Sequence, residues 1–160
     1  MPAYTWTTGE TITAAKLNDL ETEAYRVANQ IVSNSSTSQS STSSTSYVDA
    51  AASVTFTAGA SSVLILAAAG GFGVDIAAIS ANVFLAVQID GTDYAVCHAY
   101  SADTDNQYGG ASGSIVVTGL TPGASYTVKL RIKVDQATAI GYLNNGGGSR
   151  QTITVIDLVK

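Results

Sequence analysis

The chain is short of the residues on which most enzymes rely. Its 160 residues hold one histidine, His98, and one cysteine, Cys97. All three glutamates (Glu10, Glu21 and Glu23) fall in the first 32 residues. General acid–base work in the remainder would rest on aspartates alone. Cys97 and His98 are sequence neighbours, so on a strand they point to opposite faces and cannot act as a nucleophile–base pair. A single cysteine excludes an internal disulfide. Charge is scarce as well: 12% of residues are charged (Asp, Glu, Lys or Arg), about half the usual share. The net charge of −5 and the seven scattered cations exclude the clustered Lys and Arg that nucleic acid requires. The run Val63–Ala69 is too short to cross a bilayer, and the first residues lack the basic-then-apolar order of a signal peptide. These absences predict a soluble protein made in a cytoplasm, not an enzyme, with no cofactor, no metal, no nucleic acid and no membrane among its partners.

What is present divides into three parts. Residues 1–32 carry the only tryptophan and the only helical pattern. Thr11 or Thr13 can cap a helix with its hydroxyl. Leu17, Leu20, Ala24, Val27 and Ile31 then recur at alternating spacings of three and four, which is a heptad seam suited to helix self-association. So short a helix is marginal alone, so the seam must be buried on another copy or on the chain's own β domain. Residues 33–46 are almost all Ser and Thr and read as a linker, with a strand starting near Thr42.

Residues 47–160 alternate as strands. Val83, Leu85, Val87 and Ile89 lead into Asp90-Gly91, the signature of a two-residue hairpin. That turn predicts pairing of Val87 with Tyr94, Leu85 with Val96 and Val83 with His98, with Phe84 and Cys97 meeting on the other face. Thr121-Pro122-Gly123 predicts a turn with proline second. Tyr126, Val128, Leu130, Ile132 and Val134 point one way, and Lys129, Arg131 and Lys133 the other. Seven or eight strands without intervening helices predict a mainly β fold: an antiparallel β-sandwich, jelly-roll or immunoglobulin-like, preceded by a short N-terminal α-helix.

The segment Tyr4-Thr-Trp-Thr-Thr-Gly-Glu-Thr-Ile-Thr-Ala-Ala-Lys-Leu-Asn-Asp-Leu-Glu21 resembles the N-terminus of tailed-bacteriophage minor tail, fibre and head-decoration proteins. The shared pattern is an aromatic residue, Gly-Glu, then Ile-Thr-Ala-x-Lys-Leu-Asn and a helix. A looser likeness to phage and related trimeric jelly rolls covers Thr42–Leu66. The resemblance implies a homotrimer of the virion, docked on other virion proteins by its N-terminal segment. It also implies a fibre or tail-associated role, or a capsid decoration of the same plan. The turn Leu120–Val128 is similar to the Pro-Gly-x-x-Tyr turn of fibronectin type III modules, which many sandwiches share.

Several residues carry competing readings. Tyr4 and Trp6 lie on one side of an extended start, as docking residues or as packing for their own helix. The row Lys129, Arg131 and Lys133 suits either an anionic polymer or a solvated face that discourages edge pairing. Asp103-Thr-Asp-Asn106 lacks the glycine and closing glutamate of a calcium loop. The apolar stretch Gly70–Ser80 reads as an interface or as a core strand. Tyr108, Tyr142, Asn144 and Asn145 fall in Gly-rich segments, 101–113 and 141–149, expected as loops. There they suit recognition of a host surface glycan, as in a carbohydrate-binding adsorption module, or plain loop structure.

Overall fold

The computed structural model describes residues 13–18, 31–76, 80–101, 107–145 and 149–158. Ten strands follow in order: β1 (Ile31–Ser36), β2 (Ser40–Thr42), β3 (Val48–Thr57), β4 (Ser62–Ile76), β5 (Ala81–Ile89), β6 (Thr92–Ser101), β7 (Gln107–Thr118), β8 (Ser125–Val134), β9 (Ala139–Leu143) and β10 (Gln151–Asp157). All pairings are antiparallel, and they nest: β1 with β10, β2 with β9, β3 with β8, β4 with β7, β5 with β6. A hairpin of strands folded over on itself in this way is a jelly roll. One sheet runs β1-β10-β4-β9-β2, with β7 on the other side of β4. The second sheet is β3-β8-β5-β6.

Period-two alternation places the core between the sheets. Val128, Leu130, Ile132 and Val134 of β8 and Val83, Leu85, Val87 and Ile89 of β5 are buried. They meet Val63, Ile65, Ala67 and Ala69 of β4 with Ile153 and Val155 of β10. The run Val63–Ala68 is therefore buried on one side only: Leu64 is half-buried and Leu66 exposed on the other. Gly70–Ile76 resolves to a core strand, with Phe72 and Val74 buried. A register shift between Ala69 and Phe72 lets β4 exchange one neighbour, β10, for the next, β9. Gly71 supplies the left-handed backbone this needs, with φ of 55°.

Both turn expectations hold. Asp90 and Gly91 have φ of 50° and 76°, as a type I′ hairpin requires. Ala124 N donates to Thr121 O at 3.1 Å around Pro122-Gly123, and Thr121 N donates to the Tyr126 hydroxyl at 2.9 Å. The β5–β6 register holds as far as Val87 opposite Tyr94, then shifts by one between Leu85 and Ala86. Beyond the shift Leu85 faces Cys97, Phe84 faces His98 and Val83 faces Ala99. Val96 is the extra residue of a β-bulge, so the expected pairs Leu85–Val96 and Val83–His98 do not form, and Cys97 meets Leu85 instead of Phe84.

Half of the Ser/Thr tract is strand. Ile31–Ser36 and Ser40–Thr42 are strands on the edge of the first sheet. Their partners supply the reason: Ser33 and Ser35 lie opposite Thr154 and Thr152, and Ser41 opposite Tyr142. Ile31 opens β1 opposite Ile156, so it is a strand residue and the heptad seam does not reach it.

Candidate interaction surfaces

The N-terminal helix covers residues 14–18 of the described chain. Leu17 N donates to Thr13 O at 3.0 Å, and Lys16 N to Thr13 Oγ1 at 3.3 Å, so Thr13 is the cap. Leu17, a seam residue, is 58% exposed. Tyr4, Trp6, Leu20, Ala24 and Val27 lie outside the described residues, as do Asp103, Asp105 and Asn106.

The two outer faces of the sandwich differ in kind. On the first sheet, alternation and register set three rows of four outward positions: Ile31-Ile156-Leu64-Val116, Ser33-Thr154-Leu66-Ser114 and Ser35-Thr152-Ala68-Ser112. None is ionisable. Of the exposed large hydrophobic residues, Ile31, Leu66, Val116, Ile140 and Leu158 all belong to this face, and the remaining one is Leu17. A shallow depression between Leu66, Ser112, Ser114 and Thr154 marks the middle of the face, where side chains are small.

The second sheet's outer face holds the charge. Lys129 Nζ donates to Asp49 Oδ2 at 2.7 Å, and Arg131 Nε lies 3.3 Å from Asp49 Oδ1 and 3.8 Å from Asp93 Oδ1. Arg131 also donates to the Tyr47 carbonyl. Lys133 Nζ lies over the Tyr47 and Phe84 rings, 4.7 and 5.1 Å from their centroids. Burial, then the Asp93 carboxylate, then Cys97 push the Tyr47 hydroxyl above its ordinary value. The cation row is thus engaged within the chain, which fits the solvated-face reading better than an anionic polymer.

Cys97 is half-buried against the core, and burial raises its thiol pKa. His98 is exposed, its ring 5.8 Å from Phe84 on the opposite face of β6 from Cys97. Among the described residues no group of three or more His, Cys, Asp or Glu could hold a metal ion, and no helix is long and apolar enough to cross a membrane.

The four recognition candidates are not surface-loop residues as a set. Tyr108 lies in β7 and Tyr142 in β9, both in register with Gly73 of β4 from opposite sides. The two segments therefore converge on one sheet, which sequence spacing alone does not reveal. Asn144 is buried, with φ of 59°, and its amide donates to the Thr37 carbonyl. Asn145 Oδ1 accepts from Gln39 Nε2 at 3.2 Å. Both asparagines hold the β1–β2 connection. Gln151, which no local sequence signal marks, does the same: its Nε2 donates to Ser38 O at 2.8 Å and Ser40 Oγ at 3.0 Å.

No protein-family model and no curated protein matches the chain. Among solved structures it is similar to the tripod (BppUct-A-L) from the baseplate of bacteriophage Tuc2009, with 13% identity and a TM-score of 0.37 over 97% of this chain and 74% of that one. It is also similar to the Eiger TNF of S. frugiperda, with 8% identity and a TM-score of 0.32 over 66% of this chain and 63% of that one. Similarity at this level does not fix a function.

Proposed function

We propose that the chain is a non-enzymatic structural subunit of a tailed-phage particle, a homotrimeric appendage of the fibre or tail-associated type. Residues 1–32 dock it on the virion and the sandwich is displayed outward. The reading rests on the anchor-like segment Tyr4–Glu21. The observation that carries it is Leu17: a capped helix presents this leucine 58% exposed. Leaving such a side chain in water forgoes about 1.5–3 kcal/mol of burial, so a partner outside the chain's own sandwich is favoured.

The test is light scattering on the full chain and on Leu17→Asp. A trimer whose mass falls in the variant supports the helix as an assembly element. A trimer indifferent to the change moves assembly to the sandwich and leaves the segment free for docking. A monomer in both sinks the reading.

A second reading, an adsorption module for a host glycan, draws on the convergence of Tyr108 and Tyr142 beside Gly73. Glycan-array binding by the wild type that Tyr142→Ala abolishes would favour it.

A further inference from the structure

We propose that the outer face of β1 and β10 binds an acidic saccharide, a short sugar chain with a carboxylate on one of its units. The site shares no residue with the Tyr108–Tyr142 convergence, so either can fail without the other, and it does not depend on the oligomeric reading. Arg150 is its centre. Every other Lys or Arg described in the sandwich is engaged within the chain: Lys129 and Arg131 with Asp49, and Lys133 over Tyr47 and Phe84. Arg150 is exposed, and its guanidinium has no hydrogen bond or ion pair among the described residues. Carboxylates outnumber cations 12 to 7 in the chain, yet none lines the depression beside Arg150.

The surroundings of that guanidinium set the ligand class. The depression has a volume of about 440 Å³, and its other lining residues are Ser33, Asn34, Ser35, Thr152 and Thr154. Antiparallel register puts Ser33 opposite Thr154 and Ser35 opposite Thr152. Ile153 and Val155 point into the core, so the four hydroxyls face outward as a two-by-two array. They lie about 5 Å apart across the strands and about 7 Å apart along them, the scale of a sugar ring. Among the described residues only Thr152 uses its hydroxyl within the chain, in a long bond of 3.5 Å to Ala68 O. The array is held in place: Asn34 Nδ2 donates to Ser53 O at 2.6 Å, and Arg150 O accepts from Gly70 N at 3.0 Å.

A hydroxyl both donates and accepts, as a sugar hydroxyl requires, and a guanidinium fork takes a carboxylate through two parallel hydrogen bonds. One cation balances one carboxylate. A phosphate monoester, with its charge nearer two, and a nucleic acid, with a charge on every nucleotide, both ask for more. Thr152 and Thr154 also border the depression at Leu66, so the groove continues across β4 to an apolar patch that suits the C–H face of a ring. Several linked sugars therefore fit it better than a single anion does, with the carboxylate at the Arg150 end.

The experiment is a ligand-observed NMR titration with trigalacturonic acid, and with the neutral galactose trimer for comparison. The full-length proteins are wild type, Arg150→Gln, Thr154→Val and, on the opposite face, Lys129→Ala, which also removes one positive charge. All three positions are exposed or half-buried, so the variants should fold, which circular dichroism verifies. The wild type should bind the acidic trimer, more weakly as salt rises, and prefer it to the neutral one. Arg150→Gln should raise the dissociation constant about tenfold or more, and Thr154→Val about two- to tenfold, the scales of a charge-assisted and a neutral hydrogen bond. Lys129→Ala should bind as the wild type does. A wild type that ignores the acidic trimer, or takes the neutral one equally well, overturns the proposal. So does an Arg150→Gln that binds normally, or a Lys129→Ala that weakens binding as much, since net charge and not this site would then be responsible.

Discussion

Gly113 of β7 faces the bulged Val96 of β6, so close that a Cβ built on the glycine would collide with Val96 Cγ1 and stand 2.9 Å from the Val96 carbonyl oxygen. The bulge pushes Val96 out of the β5–β6 ladder toward the other sheet, and Gly113 leaves the room it needs. The two sheets approach one another at this contact. Gly113→Ala should cost about 1–3 kcal/mol, the usual penalty for overpacking. Gly110 is on the same strand with open space around it, so Gly110→Ala should be neutral or stabilising by up to about 1 kcal/mol. Urea unfolding of the two variants gives the contrast, and equal effects would mean that the sheets are not clamped there.

Gln151 is fully buried and ties down the connection between the first two strands through Ser38 and Ser40. Gln151→Ala removes two hydrogen bonds and empties part of the core, which should cost about 2–4 kcal/mol. Asn144 allows a separation of effects, because its backbone is left-handed. Asn144→Gly keeps that backbone and loses only the amide bond to Thr37, whereas Asn144→Ala adds about 1 kcal/mol of steric cost. Hydrogen exchange at residues 38–42 should accelerate in all three variants, with Asn144→Gly the mildest. Unchanged exchange would mean that the amides do not anchor this segment.

Alkaline pH should weaken the fold through two groups. Burial raises the Cys97 thiol above its ordinary 9.0, and burial, Asp93 and Cys97 raise the Tyr47 hydroxyl above 10.0. A raised folded pKa means that the unfolded chain loses its proton first. The stability linked to each group is then complete below its unfolded pKa and is lost as pH rises through the folded value. Melting temperature should therefore fall from about pH 9 upward, more gently in Cys97→Ala, and Tyr47→Phe should flatten the part above about pH 10. A wild type and variants with parallel pH profiles would count against both shifts.

Much of the sandwich is legible in the sequence because its signals are local. Asp90-Gly91 and Pro122-Gly123 demand their turns, and the alternation from Tyr126 to Val134 tells inside from outside without reference to any other strand. The first strands are not legible for the opposite reason. Ser33, Ser35 and Ser41 have no apolar period, and their partners, Thr154, Thr152 and Tyr142, are more than 100 residues away. Ile31 misleads because its spacing from Val27 continues a heptad, while the same apolar side chain suits a sheet face beside Ile156. The bulge at Val96 has no turn residue to announce it, so the predicted register fails one residue past Ala95. Of the recognition candidates, residue type suggested exposure, yet Asn144 is more useful to the fold as a buried tether.

Asp49 sits opposite Arg131 across the β3–β8 ladder and accepts from Lys129 as well, so one carboxylate joins two cations of the row. The two contacts differ in environment. The Lys129 and Asp49 side chains are 41% and 49% exposed, where a pair contributes about 0.2–1 kcal/mol and salt screens it. Arg131 is only 16% exposed and also lies near Asp93, with its guanidinium held by the Tyr47 carbonyl. Lys129→Ala should therefore change stability by less than about 1 kcal/mol and lose its effect at high salt. Arg131→Ala should cost about 2–3 kcal/mol with little salt dependence, because it strips Asp49 and Asp93 of a shared partner and the Tyr47 carbonyl of its donor. Urea unfolding of both variants at low and at molar salt separates the cases: a salt-sensitive Arg131→Ala would make the row a screened surface feature throughout, with no fastening role between β3 and the rest of its sheet.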